Sequence, residues 1–152
     1  MEESVSVAGV CGRAASPILA GKVSRIPRTT AWEARTNRAE RIVREVRAAL
    51  PEPVREAAAA VAVRLDRRVP RHWLDDGVEP DSLGLFSGPS MRDADAGQSD
   101  EAPLVSLFLE NILDWCGGDE DAFDEEVERT FLHELGHFLG LEEGDMPARD
   151  LD

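Results

Sequence analysis

Residues 130–145 read TFLHELGHFLGLEEGD, and the fold turns on how this stretch must sit. Phe123, Val127 and Phe131 recur at i, i+4 and i+8, which predicts a helix running into it. From Thr130 to Leu141 the chain is nearly apolar all round, so this end of the helix is expected to be buried. Gly140 is a natural left-handed C-cap. Asp119, Glu120, Asp121, Asp124, Glu125 and Glu126 crowd the first turns, where the helix dipole favours anions. The helix is therefore placed from near Asp121 onward.

Inside it lies His133-Glu134-Leu135-Gly136-His137, an HExxH pattern. At i and i+4 the two imidazoles stand one turn apart on one face and can grip one metal ion. Glu134 emerges beside such an ion rather than on it, where it can take a proton from metal-bound water. Zinc lowers the pKa of that water to about 7, making hydroxide available at neutral pH. Of the three histidines in the chain, two are these. Two rings and an acid in an apolar stretch are costly to bury without a partner, which weighs against plain core histidines.

A third ligand is required. Gly140 can end the helix and reverse the chain without a Cβ penalty. That turn can return an acid to the metal, with Glu143 first and Asp145 and Glu142 as alternatives. The fourth position then stays open for water, as a catalytic site needs. Cys11 and Cys116 are poorly placed to close it.

Outward from this helix, Thr30-Ala-Trp-Glu33 is a capping box that opens an earlier helix. Trp32, Ala39, Ile42, Val43, Val46, Ala49 and Leu50 follow at helical spacing, and Pro51 stops it. Arg35, Arg38, Arg41, Arg44 and Arg47 fall on or near its other side and are read as a solvated face. Pro53 to Ala59 adds a turn or two. Val61, Val63 and Leu65 alternate with polar or small residues as a half-buried strand. Leu83 to Phe86 is a short second strand, residues 87–102 a polar loop, and Leu104 to Leu109 the strongest strand. Asn111 to Trp115 is a short helix ended by Gly117-Gly118. His72 is expected as an ordinary surface or loop residue.

HELGHFLGLEE, preceded by a helix and by the strand LVSLFL, resembles the bacterial minimal zincins, small zinc metallopeptidases with an HExxHxxG-acid signature. The resemblance spans residues 38–145 and is sharpest over 130–145. It implies an α+β fold: a helix, a small twisted sheet, and the buried HExxH active-site helix packed under the sheet. Carried over by position, His133 and His137 are metal ligands and Glu134 is the catalytic acid and base. Glu143 takes the acidic third-ligand place, where the family usually has Asp. The implied cofactor is Zn2+ and the implied partner a peptide or protein substrate, lying extended along a sheet edge. Leu104 to Leu109 is the expected edge.

Composition sets the remaining bounds. The chain's 152 residues suffice for one domain, and 42% apolar residues for a core. Residues 1–28 are read as a flexible N-terminal extension without a signal-peptide pattern, and 29–152 as the domain. Residues 1–72 hold 14 bases and 8 acids; residues 73–152 hold 3 bases and 23 acids. The two halves are expected to attract each other across the fold. A net charge of −14 argues against nucleic acid as a partner. No apolar run approaches membrane-spanning length. Two cysteines without a CxxC pair are expected as free thiols, which with the rest places the protein in the cytoplasm. Two alternatives to a peptidase remain. One is a non-catalytic metal-binding interaction protein whose Arg-rich helix recruits a partner. The other, a two-His metal-dependent ribonuclease, lacks the Glu after the first His and adds a third His, unlike this chain.

Overall fold

The computed structural model describes residues 28–95, 97 and 100–145. Of the expected N-terminal extension only Arg28 is among them, and Cys11 lies outside. Thr30 caps α1 (Ala31–Ala49) as its sequence predicts. The Thr30 hydroxyl accepts from the Glu33 N–H at 3.1 Å, and the Thr30 N–H donates to the Glu33 carboxylate at 2.7 Å. After α1 come α2 (Val54–Ala58), β1 (Ala62–Asp66), α3 (Arg71–Asp75), β2 (Gly84–Ser87), α4 (Met91–Asp95), β3 (Leu104–Phe108), α5 (Leu109–Trp115) and α6 (Glu120–Phe138). The class is α+β, as expected.

The sheet order is β1-β3-β2, with β3 parallel to β1 and antiparallel to β2. This corrects one expectation. The strand beginning at Leu104 is the centre of the sheet, not its edge. Val105, Ser106, Leu107 and Phe108 are all buried, and a strand covered on both faces belongs in the middle. Among the described residues the outer edges belong to β1 and β2.

Register places Val63 and Leu65 of β1, Val105 and Leu107 of β3, and Gly84 and Phe86 of β2 on one face. α6 packs against β2 and β3, and α1 packs against α6. Ile42, Val43 and Val46 of α1 meet Phe123, Val127, Phe131 and Leu135 of α6 in one core with Val105 and Leu107. The opposite charges of the two halves meet here too. Arg38 of α1 grips Asp124 of α6 through two nitrogens, at 2.5 and 2.9 Å. Arg47 donates to the Ala58 and Val61 carbonyls and lies over the Phe131 ring. The basic side of α1 is thus partly a clasp rather than wholly a solvated face.

Two further differences matter for the site. The stretch 87–102, expected as loop, contains α4. Ser90 and Asp93 cap it reciprocally, the Ser90 N–H donating to the Asp93 carboxylate at 3.1 Å and the Asp93 N–H to the Ser90 hydroxyl at 3.3 Å. The end of α6 is also not buried all round, because Leu132 and Leu141 are exposed. Among the described residues no helix is long and apolar enough to cross a membrane.

Candidate metal centre

α6 sets His133 and His137 one turn apart, their ring centroids 5.1 Å from each other and their planes nearly perpendicular. The helix then closes on glycine. The Gly140 N–H donates to the His137 carbonyl and the Leu141 N–H to the Gly136 carbonyl, each at 3.0 Å. This is a Schellman ending, and Gly140 supplies its left-handed residue at φ +89°. The chain turns back and enters a 3-10 turn at Glu143–Asp145.

That reversal returns Glu143 to the histidines. A single Glu143 oxygen, Oε1, lies 3.2 Å from His133 Nε2 and 3.1 Å from His137 Nε2. One possible ligand atom from each of the three residues falls within 4.8 Å of the others. The His133 and His137 side chains are 14% and 28% exposed, and that of Glu143 is 73% exposed. Burial pushes the Glu143 carboxyl up. The hydrogen bonds and positive charge of His133 and His137 together outweigh this and leave it below the ordinary glutamate value. A carboxylate oxygen set between two imidazole nitrogens is, with the imidazoles neutral, the donor set that a divalent cation of intermediate softness takes. The residues present therefore fit a metal ion.

Glu142 and His72 stand outside this cluster; His72 is exposed on α3 beside Trp73. The side chain of Asp145 lies outside the described residues. Glu134 is 6% exposed and points toward the sheet, its Cγ packed against Gly84 of β2.

Three features of the surroundings escaped the sequence reading. Arg92 of α4 lies across the Gly140 turn, where a Cβ would stand 2.9 Å from its Nε. The Ser90-x-x-Asp93 spacing signals the helix that carries it. Glu126 and Thr130 are buried in line with Glu134, and their four-residue spacing was the available signal. Gly84 marks where β2 approaches α6, and a lone glycine in a strand is the usual sign of such an approach.

Residues 58–152, well over half of the chain, match the family described as zincin-like metallopeptidase. The match takes in the whole sheet and α6 and leaves α1 outside. No curated protein matches the chain.

Proposed function

The chain belongs to the zincin-like metallopeptidase family, and from that premise we propose that it hydrolyses peptide bonds with zinc held by His133, His137 and Glu143 and with Glu134 as general base and acid. The observation that carries this reading is the single Glu143 oxygen set between the two Nε2 atoms. The family implies a metal, usually zinc. When bound, zinc supplies a Lewis acid toward water and toward the scissile carbonyl.

The chain's own residues supply the rest. Glu134 accepts a proton from the attacking water as the water oxygen bonds to the carbonyl carbon. It returns that proton to the amide nitrogen as the C–N bond breaks, so one carboxyl serves both halves of the reaction. The burial of Glu134 limits the bulk water that can compete for the proton. An extended substrate pairs with the outer edge of β2. Of the two outer strands, β2 is the one that flanks the metal helix, with Gly84 against Glu134 and Phe86 6.0 Å from Phe138 between ring centroids.

The test is purified, zinc-loaded protein against a mixed peptide library, with and without chelator. Cleavage that the chelator abolishes is the expected result. Silence in both arms would favour the non-catalytic metal-binding reading.

A further inference from the structure

Three of the buried positions on α6 are polar, and they stand four residues apart: Glu126 at 3% exposure, Thr130 at 0% and Glu134 at 6%. This spacing stacks them in one column on the helix. The column is tied from its far end. Thr130 Oγ1 donates to Glu126 Oε1 at 3.1 Å, and Arg129 Nη1 donates to the other Glu126 oxygen at 2.8 Å. Thr130 is thus held by its hydroxyl, and its branched Cβ leaves it few rotamers.

Gly84 faces this column from β2. A Cβ there would stand 2.7 Å from Thr130 Cγ2, 3.1 Å from Glu134 Cγ and 3.1 Å from the Ser106 carbonyl oxygen. Gly84 is not among the glycines of positive φ. Its backbone is ordinary strand, so the fold uses the missing volume rather than glycine's conformational freedom. Ser106 belongs to the central strand, paired on both sides, and cannot retreat. Thr130 is pinned. The Glu134 stem, whose Cγ lies 3.1 Å from where the Cβ would stand, is then pressed by it.

We propose that Gly84 is a positioning residue for Glu134: its bare α-carbon is the slot in which the glutamate stem lies, with Thr130 and the Ser106 carbonyl as fixed walls. Its catalytic consequence rests on the peptidase reading above; its geometric content does not.

The test separates positioning from folding by pairing Gly84→Ala with Thr130→Ser. The serine removes Cγ2, the closest contact, and keeps the hydroxyl for Glu126. The double variant is expected to recover most of the stability lost in Gly84→Ala, keeping only the tight contact with the Ser106 carbonyl oxygen, and to bind as much zinc as wild type. The new Cβ still meets the Glu134 stem, so kcat is expected to fall by about tenfold or more with KM nearly unchanged. A merely structural Gly84 would recover kcat together with stability, and that result overturns the proposal. If Gly84→Ala alone does not fold, the double variant carries the test. A second readout needs no turnover. The visible absorption bands of the cobalt-loaded double variant should shift as those of Glu134→Ala do, and wild-type bands in the double variant overturn the proposal. Wild-type protein that binds cobalt but cleaves nothing overturns the peptidase reading instead.

Discussion

α1 and α6 are each 19 residues long and pack against each other, yet they dispose of their polar side chains in opposite ways. The buried residues of α1 are Ala39, Ile42, Val43 and Val46, all aliphatic. Those of α6 include Glu126, Thr130 and Glu134 among Phe123, Val127, Phe131, Leu135 and Phe138. Burying a polar group destabilises a fold unless it is hydrogen-bonded, so a helix that does it repeatedly must supply partners. For Glu126 and Thr130, α6 supplies them within itself, through Arg129 and the bond between the two. The difference separates scaffold from site: α1 is an amphipathic brace, while α6 carries a second, polar stripe beside its apolar one. That second stripe ends at the residue assigned to proton transfer.

The comparison breaks first, and most severely, at that end. Glu134→Ala should keep zinc and lose about 10²–10⁴-fold in peptide turnover, since general acid–base groups contribute on this scale. Metal analysis beside the turnover assay checks both halves. His137→Ala should lose the zinc itself. Equal zinc in His137→Ala and wild type would remove the centre from consideration.

The apolar stripe is tested next. Phe131 is fully buried and lies under the Arg47 guanidinium. Phe131→Ala should destabilise the protein by about 3–5 kcal/mol in a denaturant titration, from lost transfer energy and the cavity left behind. A loss under about 1 kcal/mol would mean that the α1–α6 seam collapses to fill the space.

How far these roles were legible in the sequence differs along the two helices. α1 could be read nearly whole, because a capping box, an aliphatic stripe and a terminating proline all act locally. The clustering of His133, His137 and Glu143 was equally legible, since the two histidines are fixed by helical periodicity and Gly140 announces the turn that returns Glu143. The position of β3 was misread because pairing is not local. LVSLFL marks a strand, and only burial on both faces makes it central. The polar column was also missed. In sequence, Thr130 and Glu126 look like ordinary helix residues; the approach of Gly84 across the fold is what gives their alignment consequence. α4 went unread for a different reason: its Ser90–Asp93 cap precedes no apolar run, so nothing amplified the signal.

One substitution made in both helices sharpens the contrast. Thr130→Val removes the hydroxyl that donates to buried Glu126 and should destabilise by about 1–3 kcal/mol. In α1, the Thr36 hydroxyl donates to the Trp32 carbonyl at 2.9 Å, four residues back in its own helix. Thr36 is half-buried, but a hydroxyl bonded back to its own helix adds little to the helix, so Thr36→Val should change stability by less than about 0.5 kcal/mol. Equal losses at the two sites, by thermal or chemical melting, would dissolve the distinction between a brace and a buried polar stripe.

The last contrast lies at the start of α1, where polarity is used entirely at the surface. Thr30→Ala removes one arm of the capping box and should destabilise by about 1 kcal/mol near neutral pH. The other arm titrates. The Thr30 backbone N–H, then its hydroxyl, hold the Glu33 carboxyl below the ordinary glutamate value. A carboxyl lowered in the folded state contributes stability that is complete above its unfolded pKa and is lost as pH falls through the folded value. Wild type should therefore exceed Glu33→Ala in stability at neutral pH, with the gap closing as acid protonates Glu33. Melting curves of both proteins across that acid range read the effect directly. A gap that persists after Glu33 is protonated would assign its contribution to the packing of its methylene stem, and the cap of α1 would then depend on contact area instead of charge.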